Sequence, residues 1–85
     1  YGGDVYNFDT AAEQAAREGI RVVTVLGTDD IVSAPQSAAS TRRGVAGLAL
    51  AAKTAGAAAR RGLPLDAVAA VARRTVELTR TMGVG

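Results

Sequence analysis

The sequence contains no cysteine, no histidine and no tryptophan. Lack of cysteine removes both a disulfide framework and a thiolate nucleophile. Lack of cysteine and histidine together comes close to excluding a zinc site. Without histidine, no imidazole-based triad or proton shuttle can be assembled within these 85 residues. Aromatic residues make up only 4% of the chain, and the arginines fall in separated pairs (Arg42-Arg43, Arg60-Arg61, Arg73-Arg74). Neither a stacking platform nor a continuous basic stripe is available, so no nucleic-acid partner is expected. The longest weakly polar stretch, residues 44–52, ends at Lys53. That is far short of the roughly 20 residues a membrane span requires, and no membrane association is expected. There is no initiator methionine and no signal or transit pattern. A soluble, cytoplasmic location is the expectation.

What remains is globular in character, with 48% hydrophobic residues, 21% charged residues and a net charge of +2. Such a balance disfavours disorder. The apolar residues are mostly Ala, Val and Leu, which build a thin core unless helices pack closely or further layers cover them.

From Asp4 to Glu18 the apolar residues Val5, Phe8, Ala12 and Ala15 recur at helical spacing, and Gly19 supplies a C-terminal stop. Residues 20–26 are β-branched and almost continuously apolar, a pattern that predicts a strand covered on both faces. Helix followed directly by strand is the second half of a βαβ unit, whose first strand would precede Tyr1. Residues 27–41 lack periodicity and predict a long surface loop. Residues 42–61 predict a helix ended by Gly62, with Gly44, Gly47 and Gly56 marking close backbone approach. A further helix begins at Leu63-Pro64-Leu65-Asp66. It presents Val68, Ala72, Thr75 and Val76 on one face and Arg73, Arg74 and Glu77 on the other. Residues 81–85 read as a possible strand start. The expected fold class is α/β: a fragment of a layered α/β domain built as helix, strand, long loop, two helices and a possible strand start.

Gly2-Gly3-Asp4 falls where a parallel strand would hand over to a helix, the place where open α/β sheets bind ligands. The glycines permit close approach of the backbone, and Asp4 can act as a general base toward a hydroxyl. A plain turn with an aspartate cap accounts for the same residues. Arg42-Arg43-Gly44-Val45-Ala46-Gly47 places positive charge at a helix start, against the dipole, as an anion or acidic partner would require. Packing glycines beside solvated arginines is the alternative. Asp29-Asp30 can contribute to a metal site, but two adjacent carboxylates without further ligands read as a solvated turn. No Gly-x-x-x-x-Gly-Lys-Ser/Thr phosphate loop and no dinucleotide fingerprint is present.

Taken in order, these segments resemble the dihydroxyacetone kinases. Tyr1-Gly2-Gly3-Asp4-Val5-Tyr6-Asn7-Phe8 is similar to the family's Asn-Tyr-Thr-Gly-Asp-x-x-Asn-Phe stretch. The likeness continues through Ala11-Ala12-Glu13, Glu18-Gly19-Ile20, Asp29-Asp30 and Arg42 to Gly47. It then includes Lys53 with Ala55-Gly56-Ala57, and Arg80-Thr81-Met82-Gly83-Val84. The resemblance implies that residues 1–85 are an internal segment of a single ketone-binding domain, incomplete at both ends. The parent would phosphorylate dihydroxyacetone or a related small ketose and form a homodimer. Asp4 matches the family's acid-base aspartate and Gly3 its substrate-binding glycine; from their placement, Arg42 and Arg43 are expected to contact a partner or an anion. The family's histidines, one of which holds the ketone as a hemiaminal, fall outside the segment, which by itself is expected to be inactive. The segment is expected to bind no metal or cofactor. ATP and Mg²⁺ would belong to a separate helical domain or subunit.

The sequence departs from the family pattern at Gly2, where Thr is usual, at Ala52 for His, at Pro64 for Ser and at Gly85 for Ala. The first of these adjoins the site and leaves open a ketone-binding regulatory or sensor module without phosphoryl transfer. A helical interaction protein is the blandest alternative.

Overall fold

The structure, a computed structural model, describes residues 2–84. Tyr1 and Gly85, which contribute to the motif and the departures above, lie outside the described residues. Three α-helices form: α1 (Gly2–Arg17), α2 (Gly47–Arg60) and α3 (Leu65–Leu78), with a 3₁₀ helix at Gln36–Thr41. Among the described residues there is no strand and no sheet.

The α/β expectation is therefore corrected, and the reason is pairing. A strand exists only through ladder hydrogen bonds to a neighbour, and residues 20–26 make none with another segment of the described chain. Their side chains reflect this, with Ile20, Val22 and Leu26 each more than 40% exposed. Of the possible strand start at 81–85, the described residues 81–84 form no strand, and Gly85 lies outside the described residues. Thr81 contributes one isolated parallel bridge, to Asp30.

Helix ends follow local chemistry closely. After α1, Gly19 takes φ +79°. There the Gly19 N–H donates to the Ala16 carbonyl (3.1 Å) and the Ile20 N–H to the Ala15 carbonyl (2.9 Å). Those two bonds define a Schellman stop, and glycine adopts its left-handed residue without a Cβ penalty. Gly62, also at φ +79°, ends α2 in the same way, with bonds from Gly62 N–H to Ala59 and from Leu63 N–H to Ala58. Asp4 in the first turn of α1 and Arg17 in its last turn both suit the helix dipole.

The closely packed helix pair is α2 against α3. Ala58 and Ala69 are buried, and Leu65, Val68, Ala72, Thr75 and Val76 are half-buried along the facing side of α3. Arg73, Arg74 and Glu77 are exposed. Small side chains let the helices approach, and Thr54 Oγ1 meets Thr75 Oγ1 across them at 2.7 Å. The helix expected over 42–61 begins five residues late, at Gly47. The helix does not extend back over residues 42–45, where the Asp30 N–H binds the Arg43 carbonyl (2.9 Å) and Asp29 takes the Val45 N–H, while Ala46 at the N-cap already has helical φ/ψ. No helix among the described residues is long and apolar enough to cross a membrane.

Candidate functional site

Asp4 lies exposed in the first turn of α1 and lines a cleft of about 360 Å³. Val5 and Phe8, one and four residues on, line the same face of the helix. Thr24, Val25, Leu26 and Gly27 form the opposite wall, completed by Gly44 and Leu48. The cleft is thus largely apolar, with Asp4 as its ionisable group. Phe8 remains 69% exposed although it lines the cleft, because α1 closes on the 24–27 segment rather than on another helix. Gly3 is helical, in the first turn of α1 beside Asp4, and not in a turn ahead of the helix.

Behind this cleft stands the residue that the sequence reading assigned to solvent. Asp29 is only 1% exposed, the most deeply buried side chain described. Its carboxylate accepts from the Val45 N–H (3.2 and 3.1 Å to its two oxygens), the Gly47 N–H (3.2 Å) and the Thr81 hydroxyl (2.6 Å). The Asp29 carbonyl also accepts from the Thr81 N–H at 2.7 Å. One side chain therefore ties the 27–31 loop to the start of α2 and to residue 81. It also caps α2 from a distance, since Ala46 at the N-cap position offers no side-chain acceptor.

Burial acts to raise the Asp29 pKa, but the hydrogen bonds from Thr81, Gly47 and Val45 outweigh it. They hold the carboxyl below the ordinary carboxylate range.

Space is as tight as the hydrogen bonding. A Cβ on Gly47 would stand 2.6 Å from Asp29 Oδ1, and one on Gly44 would stand 3.0 Å from the Gly27 carbonyl oxygen. Close approach at Gly44 and Gly47 is thus real, whereas Gly56 meets nothing nearer than Arg60 Nη2 at 3.9 Å. The Gly-x-x-Gly spacing was the legible signal. It announced close neighbours without saying that they are Gly27 for Gly44 and Asp29 for Gly47, 17 and 18 residues upstream.

Asp30 does form a turn, accepting from the Val32 N–H through its side chain and from Ser33 through its carbonyl. Neither member of the Asp29-Asp30 pair offers a metal site. The Asp29 oxygens are taken by three donor residues, one Asp30 oxygen is held by its own turn, and no cluster of three potential ligands occurs among the described residues.

Arg42 and Arg43 part company. They precede α2 rather than open it, which removes the conflict with the dipole. Arg43 is exposed, its backbone fastened to Ser33 and Asp30. Arg42 is 6% exposed, and its Nε donates to the Ala34 carbonyl at 2.8 Å. Its terminal amino groups have no hydrogen-bond partner among the described residues. Arg42 lines a broad, open cleft that Gln36 and Arg80 also line. In space, Arg42 is joined by Arg80 and not by Arg43.

Comparison with known proteins decides the family. The family model of the Dak1 domain matches residues 1–85. The chain belongs to the Dak1 domain family. It is 54% identical over 84 residues to a PTS-dependent dihydroxyacetone kinase, dihydroxyacetone-binding subunit, of Listeria innocua, covering 99% of this chain and 25% of that protein. It is 51% identical to a putative 3,4-dihydroxy-2-butanone kinase of Solanum lycopersicum and 44% identical to a D-erythrulose kinase of Mycolicibacterium smegmatis. In both cases 99% of this chain and 14% of the relative are covered. This Dak1 chain spans a quarter or less of the length of these relatives. No solved structure matches it significantly.

Proposed function

We propose that this Dak1 segment supplies one wall of the ketose-binding site of a kinase that phosphorylates dihydroxyacetone or a related three- or four-carbon ketose. The observation that carries the reading is the cleft itself. Asp4 is the ionisable group of an otherwise largely apolar recess, in a chain whose relatives are named as kinases of small polyhydroxy ketones. Asp4 takes the proton of the hydroxyl that accepts the phosphoryl group, and the backbone at Gly3 lies against the substrate. General-base assistance of this kind contributes about 10²–10⁴-fold.

The phosphoryl donor, ATP with Mg²⁺, belongs to a separate nucleotide-bearing domain or subunit. Arg42 and Arg43 contact that partner or an anion. Support for this comes from the Arg42 amino groups that stand without a described partner beside Arg80. The parent acts as a homodimer, as the family resemblance implies.

In the parent protein, Asp4→Ala lowers the ketose-dependent turnover number by about 100-fold or more while the ketose dissociation constant changes less than about threefold. Calorimetry and steady-state turnover separate the two, and unchanged turnover removes Asp4 from the mechanism. Ketose capture without turnover in the unaltered parent would mark a sensor instead. The Arg42→Ala, Arg43→Ala double variant weakens partner binding or activity, and full retention of both refutes the arginine assignment.

A further inference from the structure

The cleft wall opposite Asp4 is made where two backbones touch. Gly27 and Gly44 both line the cleft, and they approach so closely that a Cβ on Gly44 would lie 3.0–3.2 Å from three backbone atoms of Gly27. Nothing in the packing of small residues holds two bare backbones together, because glycine has no side chain to bury. Neighbouring residues contribute hydrogen bonds that restrain this contact. Asp29, two residues after Gly27, grips the N–H groups of Val45, one residue after Gly44, and of Gly47. Thr81 closes the third side through its hydroxyl at 2.6 Å and its N–H at 2.7 Å. Hydrogen bonds to a buried carboxylate are charge-assisted, and they lose that strength when the acceptor is replaced by a group that also donates.

We propose that Asp29 is a positioning residue for the ketose site: by clamping Val45, Gly47 and Thr81 it sets the Gly27–Gly44 wall, and so the width of the cleft that Asp4 lines. The assignment rests on the ketose-binding reading above for its functional consequence, but the clamping of the wall does not. Asparagine at position 29 keeps one acceptor oxygen and points an NH₂ group at backbone N–H donors. The two donor groups repel, and the loop and the start of α2 separate.

The test uses the parent protein with three changes: Asp29→Asn, Thr81→Val, and Ala69→Gly as a control. Ala69 is buried at the α2–α3 contact, away from the cleft lining, so its loss of packing lowers stability without touching the wall. Asp29→Asn is expected to weaken dihydroxyacetone binding at least about 10-fold, Thr81→Val about threefold or more, and Ala69→Gly less than twofold at comparable loss of thermal stability. Thr81→Ser, which keeps the hydroxyl, recovers most of what Thr81→Val loses.

Amide hydrogen exchange without ligand reads the wall directly. Exchange at Val45 and Gly47, whose N–H groups the carboxylate holds, accelerates about 10-fold or more in Asp29→Asn and not in Ala69→Gly. Equal ketose affinity in Asp29→Asn and the unaltered protein, or equal exchange at those amides, overturns the proposal. If Asp29→Asn does not fold, the Thr81 pair decides by the same two readouts. Failure of the unaltered parent to bind dihydroxyacetone would overturn the ketose reading alone, and the exchange comparison would still decide whether Asp29 holds the wall.

Discussion

Replacing glycine by alanine inside a helix ordinarily stabilises, by about 0.5–1 kcal/mol, because glycine loses more backbone freedom on folding. Helix α2 contains two glycines for which the structure predicts opposite outcomes. At Gly56 the new methyl group meets nothing nearer than 3.9 Å, so Gly56→Ala should raise stability by about 0.5–1 kcal/mol. At Gly47 the methyl would sit 2.6 Å from Asp29 Oδ1, 2.7 Å from Cγ and 3.1 Å from Cβ. Asp29 is a short, buried side chain, so it must leave its rotamer or push the loop outward. Overpacking costs about 1–3 kcal/mol, and each buried hydrogen bond to the carboxylate that breaks costs about 1.5–3 kcal/mol. Even with the helical gain subtracted, Gly47→Ala should destabilise by about 2–5 kcal/mol. Urea unfolding of the parent protein with unchanged m values measures both changes on one scale. A neutral or stabilising Gly47→Ala, matching Gly56→Ala, would refute the close packing of Asp29 on α2.

Acid should release the same clamp. Burial pushes the Asp29 carboxyl up, but its three donors pull it further down, so the folded pKa lies below the unfolded one. The unfolded chain therefore binds the proton first as pH falls. Asp29 contributes its full stabilisation above the ordinary aspartate value of about 4 and loses it as pH drops through the lower folded value. Unfolding midpoints measured from pH 6 to pH 2 should fall less steeply in Asp29→Asn than in the unaltered protein. By contrast the Arg21–Asp66 pair, 2.6 Å apart, is about two-thirds exposed on both sides. Water and salt screen it, so Arg21→Ala should change stability by less than about 0.5 kcal/mol, and a loss above 1.5 kcal/mol would contradict that assignment.

Much of the local architecture was legible from residue order. Gly19 and Gly62 end their helices through bonds made within six residues, and such bonds depend on nothing distant. The buried stripe of α3 was equally readable, because a period of 3.6 places Val68, Ala72, Thr75 and Val76 on one side whatever they pack against. Residues 20–26 carried the opposite kind of signal. Their β-branched run expresses a preference for a paired, covered environment, and preference alone does not make a ladder when no neighbour is in register.

Asp4 and Asp29 show the same division within the candidate site. Sequence by itself singled out Gly2-Gly3-Asp4, through a short motif and its resemblance to the dihydroxyacetone kinases, and in the structure Asp4 lines a cleft. It assigned Asp29 to a solvated turn, since an aspartate beside an aspartate carries no local sign of burial. Only tertiary structure brought Val45, Gly47 and Thr81, 16 to 52 residues away in the chain, onto one carboxylate. A hydrogen bond is satisfied by whichever group arrives, and which group arrives at Asp29 is decided by how α2 and residue 81 pack around the 27–31 loop.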